Sequence, residues 1–148
     1  MINDFRGAYS FLSNFYKAPV TYRGITYSNS EAAFQAAKTL DEAERKTFAN
    51  LEPAVAKRRG RQVALRSDWE KIKVNVMYEV CYAKFTQNPE LKEKLLATEY
   101  EYLEEGNTWR DRTWGTVNGK GKNLLGKILM VIRAQLRDEC TVEYTPYE

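Results

Sequence analysis

Apolar residues recur at helical spacing toward the end of the chain, where Leu125, Ile128, Leu129, Ile132 and Leu136 form one stripe and predict a final helix opened by Asn123. A longer pattern follows Ser67. Trp69, Ile72, Val76, Val80 and Ala83 make one stripe and Met77, Cys81 and Phe85 another beside it, which predicts a helix to about Gln87 buried on a broad front. Cys81 accordingly reads as core, not as a nucleophile. Ser67-x-x-Glu70 has capping-box spacing at the start of this helix. Asn88-Pro89 ends it and begins a short helix, Glu90 to Thr98, with Leu91, Leu95 and Leu96 inward. Upstream, Asp41-x-x-Glu44 opens a helix to about Asn50, and Pro53 starts another that stops at Gly60. Val20 to Tyr27 changes the period: β-branched and aromatic residues flank Arg23-Gly24, so a short hairpin is expected there. Tyr100 to Leu103 predicts a short extended strand. Asp4 to Tyr16 is aromatic yet full of turn formers, and reads as an irregular segment over the core, with Ser13 and Asn14 either in turns or touching a ligand. These elements define a mainly α, compact domain with a small N-terminal β-hairpin.

The stretch Ser28 to Lys38 carries the densest candidate chemistry. Read as a helix, it places Glu31, Gln35 and Lys38 on one narrow face, while Ala32, Ala33, Ala36, Ala37 and Leu40 cover the rest. An alanine-rich helix packs closely on several sides and presses a polar ridge against a wall instead of bulk water. Ser28-x-x-Glu31 is also a capping box, which would account for Glu31 alone but not for Gln35 and Lys38.

Composition narrows the chemistry. The chain has 148 residues and no histidine, which removes the commonest neutral-pH base and the commonest zinc ligand, so catalysis falls to carboxylates, lysine, tyrosine or backbone amides. No metal and no cofactor are expected. Cys81 and Cys140 have no framework spacing, and with no signal peptide or membrane span in view the expected home is the reducing cytoplasm. A net charge of +3 favours an anionic ligand mildly and does not by itself indicate nucleic acid. The length fits a single domain, 1–148. The tail from Asp138, with Pro146, is expected to fray or form an edge.

Two further stretches fit anion binding. Lys57, Arg58, Arg59, Arg61 and Arg66 surround Gly60, where an arginine beside freed amides could hold a phosphate, although a solvated basic face gives the same pattern. Asn107 to Asn123 holds two tryptophans, two arginines and Asp111, with Gly115, Gly119 and Gly121 permitting close approach and Lys120, Lys122 and Asn123 near a helix start. Its glycine and lysine spacing is not that of a Walker A loop.

The chain resembles the NADAR superfamily, also called YbiA-like. The matching motifs are Phe11-Leu-Ser-Asn-Phe-Tyr16, Ser30-Glu-Ala-Ala-Phe-Gln-Ala-Ala-Lys38, Gly60-Arg61 through Asp68-Trp69 and Val76-Met77, Lys84-Phe85 with Asn88-Pro89, Asp111-x-x-Trp114-Gly115, and Gly121 through Met130. They run in family order over a core of about 11–137. The resemblance implies a YbiA-like helical domain and an N-glycosidase cleaving the bond between a base and a phosphorylated ribose or ADP-ribose. Candidate substrates are a ribosylamino-pyrimidine phosphate of riboflavin biosynthesis and ADP-ribosylated guanine, free or in nucleic acid. In the riboflavin branch His-Tyr follows the glutamate where this chain has Ala32-Ala33, and Asn precedes the aspartate where it has Arg110, so the substrate stays open. The site implied has Glu31, Lys38 and Asp111 as catalytic groups and Ser13, Asn14, Phe15, Gln35, Arg61, Trp69, Trp114, Gly115, Lys120, Lys122 and Asn123 as substrate contacts.

Two routes suit such a site. Lys38 can exchange with the amine of an opened glycosylamine through a Schiff base, or a carboxylate can activate water for direct hydrolysis. A module that binds ADP-ribose or nucleic acid without cleaving it is the competing reading, and the oligomeric state is left open.

Overall fold

The computed structural model describes residues 1–138, so Cys140, Pro146 and the rest of the predicted tail lie outside the described residues. The described residues divide into two compact units, Asn14–Pro89 and a second made of Met1–Ser13 with residues 90–138.

In the Asn14–Pro89 unit a two-stranded antiparallel sheet, β1 (Lys17–Tyr22) and β2 (Ile25–Asn29), turns at Arg23-Gly24 as the sequence predicts. Both turn residues have positive φ, 50° and 85°, the geometry whose twist matches a hairpin. The outer edge of β1 is engaged by side chains: Gln87 accepts from the Thr21 N–H at 2.8 Å and donates to its carbonyl at 2.9 Å, and Asn88 donates to Pro19 O. Three short helices follow, α1 (Ser30–Ala36), α2 (Glu42–Lys46) and α3 (Pro53–Arg59), then the long α4 (Trp69–Gln87). α1 packs against both strands, α2, α3 and α4. Its residues Ser30 to Ala36 are all buried, which the run of alanines makes possible.

The broad face of α4 is present, with Trp69, Val76, Met77, Val80, Cys81 and Phe85 buried. Ile72 and Ala83 are only half-buried, because the stripe rotates off the core at the first turn and again near the end. Neither predicted capping box forms. Asn29, not Ser28, caps α1, since Ser28 is still in β2 and donates its N–H to Ala49 O. At α4 the N-cap is Asp68, which accepts from Arg66 and makes no cap bond. Leu40, expected on the apolar face of α1, is 68% exposed, because the helix ends four residues earlier.

In the other unit a short 3-10 helix, Gly7–Leu12, supplies the N-terminal irregular segment. α5 (Pro89–Ala97) buries Leu91 and Leu95 and leaves Leu96 half-buried; α6 (Leu124–Asp138) buries the whole predicted stripe. Each of those five side chains contributes about 1.5–3 kcal/mol on burial. The strand expected at Tyr100–Leu103 is reduced to one parallel bridge, Ile2 to Leu103, because the N-terminal partner is a single residue long. Among the described residues no helix is long and apolar enough to cross a membrane.

Candidate active site

The α1 ridge is built from its cap upward. Asn29 Oδ1 accepts from Ala32 N at 2.8 Å, which satisfies one open amide of the first turn and leaves Glu31 outside the cap. Glu31 N–H donates to Asn14 O, and Ser30 Oγ donates to Asn14 Oδ1 at 2.9 Å. Asn14 also donates to Met77 Sδ and accepts from Cys81 Sγ, so its amide locks α1 to α4. No ligand contact is needed to explain this side chain. Phe15 beside it is 46% exposed.

Glu31 is 8% and Gln35 5% exposed, and Gln35 Nε2 donates to Glu31 Oε2 at 2.7 Å. Gln35 Oε1 is buried without a hydrogen-bond partner. It rests against Gly60, where a Cβ would overlap it. Gly60 thus stands where it does because Gln35 occupies the space of a side chain; its φ of −59° is ordinary helical backbone.

Lys38 lies two residues beyond α1, in the turn that follows it, and its N–H donates to Gln35 O. Arg66 holds the backbone there: its N–H donates to Lys38 O at 2.9 Å, Nη1 reaches Ala37 O, and the guanidinium grips both oxygens of Asp68. The Lys38 ammonium sits 6.0 Å from the centre of the Trp69 ring, which packs in turn on Phe34 at 5.1 Å. Desolvation pushes the Lys38 amine below the ordinary lysine range; Glu31 opposes this, while Arg61 and Lys73 reinforce it and Glu70 opposes it again. The structure therefore brings Glu31, Gln35, Lys38, Trp69 and the exposed Arg61 into one neighbourhood.

The second group of predicted residues lies in the 107–123 loop, within the other unit, and there the polar atoms are largely used by the backbone. Asn107 Oδ1 accepts from Trp109 N and Asp111 N, and its Nδ2 donates to Glu105 O and Asp111 O. Asp111 Oδ1 accepts from Thr113 N at 3.0 Å and Trp114 N at 2.9 Å. Val117 and Lys120 exchange both backbone bonds around Asn118-Gly119, with φ of 53° and 78°, so Gly119 serves a two-residue turn. Gly115 and Gly121 lie against Glu105 O and Gly115 O, passing one backbone over another.

The backbone donors expected to be free at the start of α6 are engaged within the loop. The amides of Lys122, Asn123, Leu124 and Leu125 donate to the carbonyls of Arg112, Gly115, Thr113 and Trp114. Asn123 turns its side chain to Leu103 O and Glu105 N instead of capping the helix. Lys120 and Lys122 are exposed. The amides around Gly60 are used in the same way, with Gly60, Arg61 and Gln62 N–H donating to Ala56, Arg58 and Arg59 carbonyls. Ser13 ends the 3-10 helix, its N–H donating to Ser10 O.

Lys84 had not stood out as a candidate. It is 1% exposed, its Nζ 5.1 Å from the Phe85 ring and 5.7 Å from that of Tyr16, and burial lowers its amine to about 8. The signal was available: Val76, Val80 and Lys84 are spaced by four along one helix face.

The NADAR domain model matches residues 3–137. The N-glycosidase YbiA of Escherichia coli K12 is 44% identical over 135 residues, covering 88% of this chain and 84% of that protein. An N-glycosidase of Nostoc punctiforme is 31% identical over 137 residues, covering 88% and 87%. A riboflavin biosynthesis protein of Vibrio vulnificus is 36% identical over 143 residues, covering 94% of this chain and 37% of its own. The NMR structure of E. coli YbiA superposes with a TM-score of 0.80 at 38% identity, covering all of this chain and 94% of that one. The chain belongs to the NADAR domain family. It is an N-glycosyl hydrolase with a YbiA-like fold.

Proposed function

We propose that the chain cleaves a glycosylamine, in which an amine nitrogen of a base is joined to C1 of a phosphorylated ribose or an ADP-ribose, and that Lys38 and Glu31 carry the reaction. The observation behind this reading is the half-buried Lys38 amine, held below its ordinary pKa by desolvation within reach of the Glu31 field. A lowered pKa raises the neutral, nucleophilic fraction of the amine above that of an exposed lysine.

In the route favoured, the sugar ring opens so that C1 is a protonated imine of the base amine. Lys38 Nζ adds to C1, a proton passes from Lys38 through Glu31 to the base nitrogen, and the C1–N bond to the base breaks. The base leaves as a free amine and C1 remains as an imine on Lys38. Water adds to C1, Glu31 moves its proton, and the C1–Nζ bond breaks to return the lysine and an open sugar aldehyde. Substrate and one water become base and sugar, with nothing oxidised or reduced. Arg61, which follows Gly60 and whose charge is felt by the Lys38 amine, is proposed to meet the substrate's phosphate; Trp69 lies beneath the Lys38 ammonium. No step is routed through Asp111, whose Oδ1 is committed to two loop amides.

The name of the Vibrio relative supports a ribosylamino-pyrimidine phosphate as one substrate; guanine ADP-ribosylated on its exocyclic amine would present the same glycosylamine linkage. Borohydride added during turnover tests the route. A sugar-sized mass increment on the Lys38 peptide is expected. An active Lys38→Ala enzyme with no trapped adduct excludes the imine and leaves direct hydrolysis.

A further inference from the structure

The unused polar atom of the ridge is Gln35 Oε1. One end of this carboxamide donates to Glu31 Oε2 at 2.7 Å, and the other end is buried against Gly60 with no partner. A carboxamide can exchange its oxygen and nitrogen by turning about its terminal torsion, which has two nearly equivalent orientations. On the Gly60 side no donor reaches Oε1, so no hydrogen bond there fastens the oxygen in place. The orientation is then decided at the Glu31 end alone. A carboxylate there requires the NH2 group to face it; a carboxylic acid, whose O–H must donate, is served by the carbonyl.

We propose that Gln35 is a positioning residue whose amide follows the proton on Glu31, holding the same Glu31 oxygen in place whether it is charged or protonated. The proposal rests on Glu31 acting as the proton carrier described above, and assigns the maintenance of its geometry to the buried orphan of Gln35 and to the missing side chain of Gly60. Beside the pair stands Lys38, on which Glu31, Arg61 after α3, and Glu70 and Lys73 on α4 act. α2 turns Arg45 to Thr39 O, and β2 presents Tyr27. None of these occupies the Gln35 Oε1 side, where no partner is present.

The test is an NMR titration of the full-length wild-type protein, reading the Glu31 carboxyl carbon and the Gln35 side-chain NH2 together. The NH2 resonances are expected to move with the midpoint of Glu31 and to lose that step in Glu31→Gln. Gln35 resonances indifferent to Glu31 titration overturn the proposal. This readout needs no substrate, so it stands apart from the catalytic reading, which fails separately if Glu31→Gln keeps full activity. With substrate, Gln35→Met is expected to lower kcat about tenfold, leave KM within about twofold, and move the acid limb of the pH–rate profile up by roughly one unit, since a donor to the charged carboxylate is lost. Gly60→Ala, which drives the amide out of its place, is expected to give the same shift. A change in KM with the pH profile unmoved makes Gln35 a substrate contact and overturns the positioning role.

Discussion

The α1 ridge and the 107–123 loop hold similar side chains and use them in opposite ways. In the loop, Asn107 and Asp111 spend three oxygens or nitrogens on six backbone bonds, and the amides before α6 are absorbed by carbonyls eight to eleven residues back. In the ridge the backbone is satisfied by Asn29 and Asn14, which leaves Glu31, Gln35 and Lys38 to act on one another. A loop without regular structure must pair its buried amides with side chains, whereas a capped helix has already done so internally. Polar residues are therefore available for chemistry where regular structure carries the backbone, and the richness of a loop in polar side chains is poor evidence that they touch substrate.

The sharpest way to break this contrast is Glu31→Gln. Activity should fall by about 10²–10⁴-fold with the fold intact, measured as kcat/KM beside a thermal melt. Full activity would place the ridge in the same structural class as the loop. Next comes Asn107→Ala, which abolishes four hydrogen bonds and should cost about 2–4 kcal/mol in denaturant unfolding. A loss below about 1 kcal/mol would mean that the loop is ordered by something else.

Lys84 offers a third test, since it is a buried lysine without an assigned step in the reaction. Its folded pKa of about 8 lies below the unfolded value of 10.5, so between these two the unfolded chain binds more protons and stability rises with pH. Below pH 8 the cost is fully present, on the order of 3 kcal/mol. Lys84→Met should stabilise the protein at pH 7 by that order, and the advantage should shrink from pH 8 to 10. A destabilised variant at pH 7 would show that the Tyr16 and Phe85 rings more than offset the burial. The smallest effect is expected for Lys120→Ala on the exposed turn, within about 0.5 kcal/mol of wild type in the same assay.

Much of the fold was legible because it follows from periodicity. The α6 stripe, the Arg23-Gly24 turn and the Pro53 to Gly60 helix need only local rules. The caps were not legible, since Ser28 looks free to cap until β2 is known to run through it, and Asp68 until Arg66 claims it. Lys38 was placed on the right neighbours for a partly wrong reason: a continuous helix would carry it there, whereas the chain does so by a turn that Arg66 ties down. The orphan of Gln35 depends on Gly60, 25 residues away, and no local pattern encodes that meeting.

The grip of Gln87 and Asn88 on β1 has a consequence for the protein in a crowded solution. A two-stranded sheet presents an open row of donors and acceptors to any extended chain that drifts past. Here a single carboxamide imitates the next strand at Thr21, a second engages the Pro19 carbonyl, and the proline ring offers no N–H at all. The outer border of the hairpin is thereby closed to strand-by-strand recruitment, and Gln87→Ala would reopen one docking position for self-association.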